Sequence, residues 1–153
     1  MATVLFNLAQ FLFAMVVFFP MAWLFFKVPV GWSWINFLPV LGLQILFNLG
    51  MCFMISTATV FYRDVRHFTE ILLALLFWLT PIIYDIKAVS ASLRTVLYMN
   101  PFSYFILAYQ DALYHNIFSS LDRLMALTTL TLLSLVSGYT LFVVCKARFS
   151  EEA

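Results

Sequence analysis

No Asp, Glu, Lys or Arg occurs before Lys27, and none occurs between Lys27 and Arg63. An uncharged apolar run of more than about 20 residues is long enough, as a helix, to cross the ~30 Å hydrocarbon layer of a bilayer. Two such runs in succession, joined by Lys27-Val28-Pro29-Val30-Gly31-Trp32-Ser33-Trp34, leave little choice of solvent. The joining segment combines turn formers with tryptophans, which prefer the headgroup layer, and it predicts a tight loop at the membrane surface. Composition agrees: 65% of the 153 residues are hydrophobic, 10% are charged, and mean hydropathy is +1.02. A soluble domain carries about a quarter charged residues.

The hydropathy pattern predicts an all-α integral membrane protein forming one membrane domain over residues 1–153. Four transmembrane helices are expected, at about 4–26, 36–61, 68–84 and 124–145, with a re-entrant or interfacial helical pair at about 95–118 before the last span. The N-terminal run has no positive leader and exceeds the length of a signal-peptide core, so it is expected to persist as a span, with Pro20 as a possible kink. Asn7 and Gln10 share one helical face and should point at protein. Gln44 and Asn48, at i and i+4, read either as interhelical glue or as substrate contacts, and nearby Gly42 would allow close backbone approach. Ser134 and Gly138 form a small-xxx-small pair suited to the same purpose.

Between the second and third spans the character changes. Arg63, Asp64, Arg66, His67 and Glu70 crowd into ten residues. Each charge costs ~2.5–3.5 kcal/mol at a bilayer centre, so this segment is expected to be aqueous or covered by protein. The third span is short and ends in Thr80-Pro81-Ile82-Ile83-Tyr84, as suits a helix broken near the far interface. From Thr95 to Gln110 the chain is apolar again but interrupted by Asn100-Pro101, too short and too broken to span. Non-helical backbone at that depth is tolerated only where protein or a water-filled cavity covers it. The positive-inside rule does not decide the orientation: Arg63, Arg66, Lys146 and Arg148 face one side, Lys27, Lys87, Arg94 and Arg123 the other. The shorter loops of the first group favour placing both chain ends in the cytoplasm.

Several chemistries are excluded. A net charge of +1 and the lack of a basic cluster argue against nucleic acid as a partner. No GxxxxGK[ST] pattern is present, so any ATP would be hydrolysed by a separate nucleotide-binding subunit. Neither His67 nor His115 belongs to a ligand-spaced set, and no metal or cofactor is expected. Cys52 and Cys145 lie in apolar runs and read as small buried hydrophobes. An intramembrane enzyme would need an acid or base, for which only Asp85, Asp111, Asp122 and His115 are placed. Arg63-Asp64 reads either as a solvated charge cluster or as a contact with a neighbouring helix or cytoplasmic protein. The aromatic set Tyr98, Phe102, Tyr104, Phe105, Tyr109 and Tyr114 reads either as an interfacial belt or as rings that stack on sugars.

Read in order, Arg63-Asp64 after a long span, a short helix ending in Pro81 to Tyr84, an amphipathic stretch containing Arg94, and Asn100-Pro101 followed by aromatics to Tyr109 resemble the permease subunits of type-2 ATP-binding-cassette exporters. The likeness is greatest to those exporting O-antigen, capsule or teichoic acid, and it covers about 61–115 strongly. It implies the C-terminal part of a six-span permease, with the four helices as spans three to six and the amphipathic N-terminal helix, first two spans and coupling helix absent. It also implies a multi-pass protein of the bacterial cytoplasmic membrane. A second copy and two ATPase subunits would be its partners, and polysaccharide or a lipid-linked glycan its cargo. Tyr98, Phe102, Tyr104, Phe105 and Tyr109 would line or gate the path. The alternatives are a drug or small-molecule exporter of the same superfamily and a truncated, non-transporting membrane subunit.

Overall fold

The computed structural model describes residues 2–26, 31–82, 84, 86 and 88–146. Outside them lie Lys27 to Val30 of the expected surface loop, Ile83, Asp85, Lys87 and Arg148. The described chain forms α1 (Ala2–Phe26), a 3-10 turn (Trp32–Asn36), α2 (Phe37–Phe61), α3 (Val65–Trp78), α4 (Ala91–Met99), α5 (Pro101–Leu113) and α6 (Leu121–Cys145). No strand occurs among the described residues.

Among the described residues, two helices, Trp32–Phe61 and Leu121–Cys145, are long and apolar enough to cross a membrane. The expected span at 36–61 is extended backwards by the 3-10 turn, and the one at 124–145 begins at Leu121, taking in Asp122 and Arg123. The expected span at 68–84 is corrected most. Its helix starts at Val65, inside the charged segment, and stops at Trp78, giving 14 residues or about 21 Å. The cause is local: the amide of Thr80 closes a tight turn on the Phe77 carbonyl at 3.1 Å, and Pro81 has no amide to continue the ladder and disfavours helix in the residue before it. The expected 95–118 insert begins earlier, at Ala91, as two helices meeting at Asn100.

The centre of the molecule is the seam between α2 and α6. On α2 the buried residues Val40, Phe47, Gly50 and Thr57 share one stripe, and on α6 Leu127, Thr131, Ser134 and Gly138 do so at the four-three-four spacing of a coiled-coil seam. A Cβ on Gly50 would fall within 3.0 Å of the Ser134 backbone, and one on Gly138 would strike the Gly50 carbonyl oxygen. The backbones therefore touch, as small residues allow in helix pairs that lack a hydrophobic drive in lipid. Hydroxyls reinforce the contact: Ser134 donates to the Phe47 carbonyl at 3.1 Å and Thr131 to that of Leu43 at 3.3 Å. The expected pairing through Ser134 and Gly138 is thus seen, but its partner is Gly50. At Gly42 an added Cβ would meet nothing within 4 Å, so no close approach occurs there.

Leu43 meets Thr131, Phe47 meets Ser134, and Phe53 meets Phe142 with ring centroids 5.3 Å apart. Numbering rises together, so α2 and α6 run in the same direction. α1 returns alongside α2 in the opposite sense, with Phe19 stacked on Trp34 and Phe37 at 5.2 and 5.6 Å. α5 also opposes α2: Phe105 packs on Phe47 at 5.4 Å, Tyr109 on Phe37 at 5.4 Å, and beyond them Ser33 donates to the Ala112 carbonyl at 3.0 Å. That last corner is interlocked. Asn116, at φ 58°, lays its amide over Gly31, where any Cβ would collide with it, and bonds to Ser33. Asparagine tolerates this left-handed conformation better than other non-glycine residues.

Gly50→Ala and Gly138→Ala are expected to destabilise the detergent-solubilised chain by about 1–3 kcal/mol each. Gly42→Ala should be neutral or slightly stabilising, because alanine is the better helix former by ~1 kcal/mol. Thermal melting of the three variants followed by tryptophan fluorescence checks this, and identical midpoints would remove the seam from the centre of the fold.

Candidate functional site

Of the residues singled out in the sequence, Pro81, Asn100 and Pro101 come together where α3 ends and α4 meets α5. Asn100, 4% exposed, serves two masters. Its side-chain oxygen accepts from the Phe102 amide at 3.0 Å, capping α5, with Pro101 in the first helical position, where its missing amide costs nothing. Its amide nitrogen donates to the Leu76 carbonyl at 3.1 Å and to the Thr80 hydroxyl oxygen at 2.9 Å, and Thr80 in turn donates to the Leu76 carbonyl. Gln110, two turns along α5 from Ser103, donates to the Pro81 carbonyl at 2.9 Å. Thr80-Pro81 and Asn100-Pro101, some twenty residues apart in sequence, thus form one hydrogen-bonded knot that satisfies the loose carbonyls at the broken end of α3. Tyr84 reaches back to the Trp78 carbonyl at 3.3 Å, and Arg94 to the carbonyls of Ile86 and Val89 at 3.2 and 3.3 Å.

The aromatic set divides. Tyr98, 40% exposed, and half-buried Tyr104 lie together at the α4–α5 corner, centroids 6.2 Å apart. Phe102, Phe105 and Tyr109 follow a three-four spacing down the α2-facing side of α5. Phe105 is 1% exposed and part of the core with Val40, Phe47, Ala108 and Leu127, and it borders only the smaller of two cavities nearby. Phe102 stands edge-on to Phe47 at 5.8 Å and borders two cavities, of about 220 and 420 Å³. Tyr109 donates its hydroxyl to the Gln44 side-chain oxygen, so Gln44 does join helices. Asn48 and Asn7 do not: both are exposed, lining the larger cavity, and Gln10 is exposed too, so the α1 face expected to meet protein is uncovered here.

At the other end of α3, Arg63 and Asp64 are exposed in the turn from α2, and Asp64 stands at the N-terminus of α3, where a carboxylate suits the helix dipole. Arg66 pairs with Glu70 at 3.5 Å across one turn, both well exposed, and a cavity of about 440 Å³ opens beside them against Ile55 and Thr59. Sequence reasoning missed the pair Asp111–Arg123, about a quarter exposed on each side, which ties α5 to the start of α6, while Arg123 also donates to the Leu107 carbonyl at 3.3 Å. A lone carboxylate and a lone guanidinium bounding apolar helices were the available signal. With Asp111 so engaged and Asp122 and His115 exposed, these three form no acid–base pair; His67 stands 3.8 Å from Glu70 on the exposed start of α3, and no group of three potential metal ligands occurs among the described residues. Cys52 and Cys145 are unpaired, but Cys52 is exposed and borders the cavity of about 420 Å³ rather than being buried.

The family profile described as ABC-2 type transporter matches residues 1–114. The chain is also similar to two proteins named O-antigen export system permease protein RfbA. One, from Klebsiella pneumoniae, is 28% identical over 120 residues, which is 78% of this chain and 46% of that protein. The other, from Myxococcus xanthus, is 25% identical over 123 residues, 79% of this chain and 47% of that protein. The chain spans about half the length of the curated relatives it matches.

Asn100→Ala is expected to lower stability by about 2–4 kcal/mol, through loss of the cap and of the donor to Leu76 and Thr80. Asn100→Ser, which can cap but cannot reach Leu76, should recover about 1 kcal/mol of that loss. Denaturation midpoints in detergent read both, and equal effects would mean that the cap adds nothing and the bonds to Leu76 and Thr80 are the whole of the role of Asn100.

Proposed function

We propose, from the premise that this chain belongs to the ABC-2 type transporter family, that it is a permease component of an ATP-driven exporter of polysaccharide, of O-antigen, capsule or teichoic acid type. The family match carries the reading. The names of the relatives and the resemblance of residues 61–115 to polysaccharide exporters favour glycan as the cargo. Two copies of the permease and two nucleotide-binding subunits would form the working assembly in the bacterial cytoplasmic membrane, with ATP hydrolysed by the separate subunit.

The geometry suggests how the parts would serve. Since α2 and α6 run in the same direction, a bilayer that both cross must be recrossed between them. α3 is the segment placed to begin that return, running back from the exposed Arg63-Asp64 turn to the Asn100 knot. In this four-span reading α1, α2, α3 and α6 stand for spans three to six, and α4 and α5 form a re-entrant pair on the outer side. Their turn lies at the depth of Phe47, inside the apolar layer, where the knot covers the exposed backbone. Closure of the ATPase would push on the charged end of α3, and the Leu76–Asn100 contact would pass that motion to α4 and α5. Tyr98, Phe102, Tyr104 and Tyr109 would meet the glycan, stacking on sugar faces without the directional trapping of buried charge. Phe105 would support them from behind.

Affinity purification of the tagged chain from native membranes, followed by mass spectrometry, should recover a nucleotide-binding subunit. A chain that comes out with no ATPase would instead favour a non-transporting membrane subunit. In an intact permease carrying these residues, Tyr104→Ala and Tyr109→Ala are expected to slow polymer export roughly three- to tenfold, the worth of one or two lost ring contacts. Unchanged export would take both rings off the path, and loss of drug efflux with polymer export intact would favour the small-molecule reading.

A further inference from the structure

At the end of α2 the chain turns back sharply. The Tyr62 amide bonds to the Ala58 carbonyl at 2.9 Å and the Val65 amide to that of Tyr62 at 3.1 Å, so α3 sets off at once beside the end of α2. α3 buries none of its residues, and the two helices do not interlock. Between them lies the cavity of about 440 Å³, lined from α2 by Ile55, Ser56, Thr59 and Val60 and from α3 by Arg66, Thr69 and Glu70. The hydroxyls of Ser56, Thr59 and Thr69 donate to the carbonyls of Phe53, Ile55 and Val65. Their hydrogens are spent, while their oxygens can still accept.

Depth and charge together select what fits this cleft. Glu70 stands about 7 Å along α3 from Val65, and Ile55 about 9 Å along α2 from Phe61. A headgroup layer is about 5–7 Å deep on each side of the hydrocarbon. With the Arg63-Asp64 turn in water, the charged side of the cleft therefore falls at headgroup depth and its Ile55 end at the start of the acyl chains. The lining carries one guanidinium and one carboxylate. Arg66 meets Glu70 through Nε at 3.5 Å, and its terminal nitrogens offer further N–H donors. His67 stands 3.8 Å from the other oxygen of Glu70 but does not line the cavity. A phosphate alone would set its charge against Glu70, and a choline group has no N–H for the carboxylate or the hydroxyl oxygens. A phosphate joined to a primary ammonium satisfies both walls through charge-assisted hydrogen bonds.

We infer that the cleft between α2 and α3 is a binding site for a phospholipid with a primary amine, phosphatidylethanolamine in kind. Its phosphate lies on Arg66, its ammonium on Glu70 and the hydroxyl oxygens of Ser56 and Thr59, and an acyl chain runs along Ile55 and Val60. A lipid so held fixes the depth at which α3 enters the bilayer. The inference rests on the chain lying in a membrane and is independent of export and of the cargo.

The test titrates the full chain, purified in detergent, with an equimolar mixture of phosphatidylethanolamine, phosphatidylcholine and phosphatidylglycerol of matched acyl chains, and reads bound lipid by native mass spectrometry. Phosphatidylethanolamine is expected to be retained about fivefold over the other two, the effect of one charge contact at a membrane surface. Glu70→Gln should erase the preference among headgroups, and Arg66→Ala should lower retention of all three. Thr59→Trp, which fills the cleft and leaves both charges in place, should exclude the lipid. Melting midpoints check that each variant folds. Equal retention of the three lipids by the unsubstituted chain, a preference for phosphatidylglycerol, or a phosphatidylethanolamine preference that survives Glu70→Gln and Thr59→Trp would overturn the inference. So would a Thr59→Trp chain that keeps its bound lipid yet no longer brings an ATPase out of native membranes, since the cleft would then hold protein.

Discussion

The backbone contact of Gly50 with Ser134 and Gly138 is the interaction on which the rest of the structure depends. In lipid there is little hydrophobic gain in bringing two apolar helices together, so the pair is held by close van der Waals approach and by hydroxyls turned onto facing carbonyls. Missing side chains at Gly50 and Gly138 make both possible. Because the two helices are parallel, everything between Phe61 and Leu121 has to carry the chain from one end of the pair to the other. α3, the 79–90 connection and the two short helices are the solution, and each of their irregularities follows from that requirement.

A chain that breaks its helices in an apolar setting must house the freed polar groups. Asn100 does most of this by joining the end of α3 to the start of α5, with Thr80 and Gln110 completing the set. Elsewhere the hydroxyls of Thr57, Thr59, Thr128, Thr129 and Thr140 turn back onto carbonyls one helical turn earlier, so these threonines, unlike Thr131, need no partner from another helix. The same economy marks Asn7 and Asn48 as different in kind: their amides open into a groove rather than onto their own helices. Charge is handled as strictly, with Asp111 and Arg123 neutralising each other where α5 meets α6 and the Arg63 to Glu70 group left in the open.

Much of the candidate site was legible one element at a time. Asn100-Pro101 reads as an interruption of an apolar stretch, which the structure makes the capped start of α5, and Thr80-Pro81 signals a helix stop, as it proved to be. That the two would bond to each other was not legible, since nothing in a string of residues says which turn of one broken helix faces which turn of another. The aromatics from Tyr98 to Tyr109 read as a single set, yet helical geometry sorts them onto two faces, and the packing of α5 on Phe47 makes Phe105 a core residue. Gly42 and Gly50 look alike in sequence, and only the neighbour distinguishes them.

What the sequence by itself determined is what solvent and local backbone chemistry dictate: an all-helical chain with long uncharged spans, a polar turn at Arg63-Asp64, a helix broken at proline, and membership of a transporter family written in ordered short motifs. Periodicity and charge are properties of single helices and survive without a partner. What only the tertiary structure decided is which faces meet: the parallel pairing of α2 with α6, the shortness of α3, the Asn100 knot, the Asp111–Arg123 link and the cleft left between α2 and α3. Those depend on the complementarity of surfaces from distant segments, where a single Cβ or one amide decides whether two backbones can touch.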